Sequence, residues 1–216
     1  MTFTPPFKTK KQFDVTVRRL HAADVDAYRI LRLHALQHAP TSFGSSFAEE
    51  QARPLAELAQ SLGPAGDKLM FGAFVPAPLT GHTAVFTAPQ IQPEAPPKAP
   101  PAPVLIGMVG LAQEVGLKTQ HMAAVRSMAV HQSWQGQGVG RALLAHLLVC
   151  ARAMPPLRLL TLKVTDGNAS AIGLYASMGF TPYGRLAQAL YADGVYYDDL
   201  LMALALTAET HPSVAA

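Results

Sequence analysis

The stretch of this chain best suited to chemistry is Gln135-Gly-Gln-Gly-Val-Gly140. An apolar run, Ala123 to Val130, precedes it and a leucine-rich one, Ala142 to Ala153, follows, so a strand leads in and a helix leads out. A glycine-rich turn at a helix N-terminus can aim several backbone N–H groups at one anion, and glycine lets the main chain approach a phosphate closely. The helix dipole adds about 0.3–1 kcal/mol per favourable charge. A pyrophosphate suits such a turn, and a plain glycine-rich connection is the other reading the spacing leaves open. Two known phosphate loops do not fit. A nucleotide P-loop requires Lys-Ser/Thr after its last glycine, where Arg141-Ala142 stands. A dinucleotide loop requires Gly-x-Gly-x-x-Gly and an acid about 20 residues later; here the third glycine comes one residue early and the next strand carries Lys163.

Asn168 and Tyr175 form a second candidate pair. Seven helical steps of about 100° return to within about 20° of the start, so both project from one helix face and can share a ligand. Each also has a structural reading, Asn168 as the N-cap after Asp166-Gly167 and Tyr175 as a core tyrosine. Cys150, the only cysteine, excludes an internal disulfide framework and a multi-cysteine zinc site, and its place in the leucine-rich helix reads as packing rather than as a nucleophile. His121 and His131 have suitable unperturbed pKa values and read as loop histidines.

These residues require a scaffold. Phe13 to Val17 alternates as a half-buried strand does, and Val25, Tyr28, Leu31, Leu33 and Leu36 mark a helix that stops at Pro40. A Ser/Gly loop, Thr41 to Phe47, leads to an expected second helix, Ala48 to Leu62. Strands are expected at Lys68–Val75, Val104–Ala112, Ala123–Val130, Leu159–Val164, Gly184–Tyr191 and Tyr197–Leu206, with a helix over Asn168–Met178. The order β-α-α-β-β-β-α-β-α-β-β is that of a mixed α/β sheet with helices on both faces. Half of the eighteen prolines fall between Pro76 and Pro103, a segment fit for neither sheet nor helix interior, read as an insertion in the hairpin between the second and third strands. Residues 1–12 read as a loose leader, 13–206 as one domain and 207–216 as a flexible tail. A net charge of +3 over 216 residues supplies no basic stripe for nucleic acid. No apolar run reaches the ~18 residues that span a bilayer, and the leader lacks a signal peptide's apolar run; a reducing, cytoplasmic home is expected.

Met128-Ala-Val130 followed by Gln135-x-x-Gly138-x-Gly140 resembles the acetyl-CoA signature of the GCN5-related N-acetyltransferase (GNAT) family, and Asn168-x-x-Ala171-x-x-Leu174-Tyr175-x-x-x-Gly179-Phe180 resembles that family's next block. The resemblance covers roughly residues 13–206, with the proline segment as a departure. It implies a mostly antiparallel sheet of about seven strands whose parallel fourth and fifth strands splay apart to admit acetyl-CoA. It further implies that the main chain of Ser127, Met128, Ala129 and Val130 pairs with the pantetheine arm. Pyrophosphate would lie on the turn, Gln135, Gly136, Gln137, Gly138, Val139, Gly140 and Arg141, with its amides as donors. Asn168 would bond the CoA arm, and Tyr175 would serve as general acid near the departing thiolate.

The implied reaction is direct attack of a primary amine on the thioester, with no acyl-enzyme and no metal. Glu114 is the candidate base carried forward; Glu49 and Glu50 are others, and all three also read as surface acids. Asp198 and Asp199 could line the acceptor side, and as charges near a strand's start they read as surface residues. In the family the acceptor is chosen by the early helices and the last hairpin, here Ala22–Leu62 and Gly184–Tyr197. The expected partners are acetyl-CoA and an amine of a small molecule or protein, for a monomer or homodimer. The rival expectation is a catalytically weak acyl-CoA-binding regulatory module that docks partners through its proline-rich loop.

Overall fold

The structure, a computed structural model, describes residues 7–8, 13–63, 68–76 and 102–206. Seven main strands form one sheet: β1 (Asp14–Arg19), β2 (Lys68–Val75), β3 (Val104–Gln113), β4 (Met122–Val130), β5 (Leu159–Thr165), β6 (Thr181–Ala192) and β7 (Val195–Ala205). They lie in the spatial order β1-β2-β3-β4-β5-β7-β6, and a two-residue strand, Phe7–Lys8, extends the β1 edge. Only β4 and β5 run parallel. The leader read as loose is therefore paired at Phe7 and Lys8, opposite Val15 and Asp14. The proline segment lies outside the described residues from 77 to 101, but its flanks meet: Val75 pairs with Val104, so β2 and β3 are antiparallel neighbours.

Helices α1 (Val25–His38), α2 (Phe47–Ala52) and α3 (Leu55–Ser61) precede β2, α4 (Val139–Arg152) links β4 to β5, and α5 (Ala169–Ser177) follows β5. The single helix expected over Ala48–Leu62 is broken in two. Pro54 has no N–H to give, and it holds Arg53 extended at φ −65°, ψ 132°. The last two strands are longer than their apolar patterns, because Asp193 and Gly194, both at positive φ, form a two-residue turn that pairs Ala192 with Val195.

Helix α4 packs on one sheet face through Leu143, Leu144 and Leu147, all fully buried, each contributing about 1.5–3 kcal/mol of apolar transfer. On the other face α1 and α3 bury Tyr28, Leu31 and Leu58 against Phe74, Leu105 and Met108. Among the described residues no helix is long and apolar enough to cross a membrane.

Candidate functional site

Helix α4 starts three residues earlier than its apolar pattern suggests, so the glycine-rich turn runs directly into it. Gly138 is the N-cap, with φ +89°, and Gly136 has φ +69°. These left-handed conformations cost an L-residue about 1–2 kcal/mol, which explains glycine at both. Among the described residues, no amide from Gly136 to Arg141 donates to a protein group; the first that does is Ala142, to the Gly138 carbonyl at 3.0 Å. Six consecutive free donors, Gly136, Gln137, Gly138, Val139, Gly140 and Arg141, thus converge at the positive end of a 14-residue helix. Space beside Gly136 and Gly138 is open: a Cβ at either position would meet no protein atom within 4 Å. The side chains brace the turn rather than fill it: Gln135 donates to the Val130 carbonyl at 3.0 Å and Gln137 to that of Ser133 at 2.8 Å.

The second half of the site is a break in the sheet. β4 and β5 pair only at Met122, Ala123 and Ala124, opposite Leu159, Leu160 and Thr161, and the ladder then ends. Beyond it β4 remains paired on its other edge, Ala129 with Met108 and Val130 with Gly107. Its β5-facing backbone edge is therefore open where Ser127, Met128, Ala129 and Val130 lead to the turn. A bulge sits here: Ser127 and Met128 together oppose Val109, and Ser127 has φ +52°. A bulge re-aims the strand, and a non-glycine residue in this conformation costs about 1–3 kcal/mol. The splay expected of the fourth and fifth strands is present.

Helix α5 closes the site from the β5 side. Leu174 reaches the start of α4, where a Cβ at Gly140 would meet its methyl at 3.0 Å, a tight fit, and Arg141 donates to the Ser177 hydroxyl at 2.9 Å. Asn168 caps α5, accepting from the Ala171 amide at 3.1 Å, while its side-chain nitrogen reaches the Ser42 hydroxyl at 3.4 Å. Tyr175 is 7% exposed, with its ring edge-on to Phe180 at 6.0 Å, and burial pushes its phenol up to about 12. Both structural readings, N-cap and core tyrosine, describe the observed environments. Among the described residues the Tyr175 hydroxyl makes no hydrogen bond, whereas the Asn168 side chain is engaged at both its oxygen and its nitrogen.

On the β5 side of the gap lies the turn Pro40–Ser42, after α1. The Thr165 hydroxyl at the end of β5 donates to the Thr41 carbonyl at 2.6 Å, so the α1–α2 connection is tied over the widened strands. Behind it, Arg32 stacks on Phe43 at 4.8 Å and pairs at 3.8 Å with Glu50, which Arg53 also reaches at 3.2 Å. Arg32 and Glu50 are both buried. Glu50 therefore anchors this loop, and Glu49 closes a capping box with Ser46. Neither carboxylate is left over as a base. His131 is buried in a stack with His34 at 4.1 Å, and His34 stacks on His38 at 4.0 Å; burial and the neighbouring imidazoles lower His34 to about 4. The His34–His38 half follows from their i, i+4 spacing on α1, whereas His131 joins only where α1 meets the end of β4.

Glu114 is not at the site. It follows β3, its amide bonding the Met122 carbonyl, at the closed end of the β4–β5 pair, eight residues or roughly 26 Å from Val130. There it is exposed on the rim of a 380 Å³ cavity with Leu69, Leu111, Val115 and Met154. The strand that carries Glu114 runs antiparallel to β4, so nearness to β4 in sequence places it at the wrong end. Cys150 is half-buried and burial raises its thiol, in keeping with packing. Among the described residues no group of three or more His, Cys, Asp or Glu could hold a metal.

Residues 99–180 match the model of the Acetyltransferase (GNAT) family. No curated protein sequence matches the chain. Among solved structures, it is similar to a GNAT-family acetyltransferase from Streptococcus pneumoniae (20% identity, TM-score 0.65, covering 88% of this chain and 98% of that one). It is similar to a putative acetyltransferase from Salmonella typhimurium solved with its cofactor acetyl-CoA (19%, TM-score 0.64, covering 93% and 99%). A third is a ribosomal-protein-alanine N-acetyltransferase from Brucella melitensis (21%, TM-score 0.64, covering 88% and 98%). Residues 99–180 carry the acetyltransferase signature of the GNAT family, on a chain whose described fold is that of the GNAT acetyltransferases.

Proposed function

We propose that the protein transfers an acetyl group from acetyl-CoA to a primary amine of a small molecule or protein, within a ternary complex. The observation that carries this reading is the succession of two donor surfaces: the β4 edge that no strand pairs, Ser127 to Val130, is followed, after the single turn Gln132–Trp134, by six free amides at the start of α4. An amide-bearing arm ending in a pyrophosphate needs both, in that order, and the chain supplies them without a charged side chain. The similar fold solved with acetyl-CoA supports the same donor.

Acetyl-CoA supplies an acyl thioester; the amine lone pair forms the C–N bond, the C–S bond breaks, and the leaving thiolate takes a proton. In this reading Tyr175 hydrogen-bonds that sulfur. With a phenol near 12 and a thiol near 8.5, complete transfer from Tyr175 would be uphill by about 5 kcal/mol, so charge stabilisation by its O–H is the role we assign. A lysine-like amine must lose a proton at a cost of about 4–5 kcal/mol at pH 7.

A thiol-release assay with acetyl-CoA and a panel of primary amines tests the reading. Amine-dependent release is expected with at least one member. CoA binding without release on any of them would favour the rival, an acyl-CoA-binding regulatory module.

A further inference from the structure

Asp198 and Asp199, adjacent and both read from sequence as surface charges, have opposite fates. Asp198 is ion-paired with Arg185 at 2.9 Å and accepts from the Gln188 amide at 2.8 Å. Asp199, one residue on, points to the other sheet face and is only 9% exposed. It lies directly opposite Thr165 on β5 and Leu186 on β6. Residues paired across antiparallel strands share a face, so Asp199 faces the side from which Thr165 holds Thr41. It therefore sits beneath the turn Pro40–Ser42, on the β5 side of the gap.

No group among the described residues donates a hydrogen bond to the Asp199 carboxylate, and no cation among them stands within ion-pair distance of it. A buried carboxylate without a partner costs several kcal/mol and is rarely left so. Neither of its oxygens is among the fully enclosed, unpartnered polar atoms of the described residues. Among groups facing it, Lys163, two residues before Thr165 on the same face, acts at longer range; Thr165 is committed to Thr41, and Leu186 and Leu201 are apolar. Burial raises its carboxyl despite Lys163.

We propose that Asp199 is the anionic contact for a cationic acceptor amine, drawing a protonated primary amine to the mouth of the gap and disfavouring neutral nucleophiles of the same shape. This rests on the acetyl-transfer reading. Asn is the informative replacement, because it keeps the volume and removes the charge, so Asp199→Asn relieves the buried anion and the fold is retained.

The experiment has two arms, each on the full chain. In the kinetic arm, Asp199→Asn raises KM for an alkyl ammonium acceptor at least tenfold and leaves the Kd of acetyl-CoA within twofold, while Asp198→Asn changes neither. In the binding arm, propylammonium and propanol are titrated by NMR into the CoA-saturated protein. The wild type prefers propylammonium at least tenfold, and Asp199→Asn loses that preference. Retained preference in Asp199→Asn, or its absence in the wild type, overturns the proposal. If no amine supports thiol release, the acetyl-transfer reading fails alone, and the binding arm still decides the role of Asp199.

Discussion

Thr165 and Thr41, 124 residues apart, are joined by a 2.6 Å hydrogen bond from the Thr165 hydroxyl to the Thr41 carbonyl. That bond lies at the end of β5, where its pairing with β4 has already stopped, and it ties the turn to the β5 side of the gap. Asn168 reaches Ser42 beside it at 3.4 Å.

Thr165→Val removes the bond at nearly constant volume. A loss of about 1 kcal/mol in stability is expected from the unsatisfied Thr41 carbonyl. If the turn roofs the acceptor side, kcat/KM for the amine falls severalfold while the Kd of acetyl-CoA stays constant. Parallel losses in both would place the turn on the cofactor side instead.

Gly138→Glu tests the anion cradle. The residue caps α4 at φ +89° with open space beside it, so the side chain would project where an anion approaches, adding strain of about 1–2 kcal/mol and a like charge. Calorimetric titration should show CoA affinity lost; a retained micromolar Kd would remove the turn from the site.

Tyr175→Phe separates binding from chemistry. The phenol is buried beside Phe180, so the fold should tolerate the change, and a far-UV melt should move little. We expect kcat to fall about tenfold or more with the Kd of CoA unchanged, since one donor to developing charge is worth a few kcal/mol. With the phenol near 12, the wild-type pH–rate profile should show no tyrosine ionisation below pH 10.

The histidine stack makes stability depend on acid. His34 titrates near 6.5 when unfolded and near 4 in the stack, so the unfolded chain binds more protons between those values. Stability from this group is complete above about pH 6.5 and is lost as pH falls towards 4. The melting temperature should drop across that window, and His34→Gln should flatten the drop. An equally steep curve in the variant would assign the acid sensitivity to other groups.

Periodicity and glycine spacing sufficed for the succession of strands and helices along the chain, the strand–turn–helix around Gly138, and the α5 pair Asn168 and Tyr175, because each depends on residues near one another in sequence. The helix break at Arg53–Pro54 and the tight turn at Asp193-Gly194 were missed, although Pro54 and Asp193-Gly194 carry local signals for both. What depends on distant segments meeting was not legible. Glu114 has the chemistry of a base and stands at the closed end of the strand pair. Asp198 and Asp199 differ in fate because strand alternation sends one to an arginine and buries the other beneath a turn 157 or more residues earlier in the chain. Local sequence determined which backbone groups would be free to bind an anion; only tertiary structure decided which carboxylate is left unpartnered, because burial and charge pairing are set by neighbours that the chain brings together in folding.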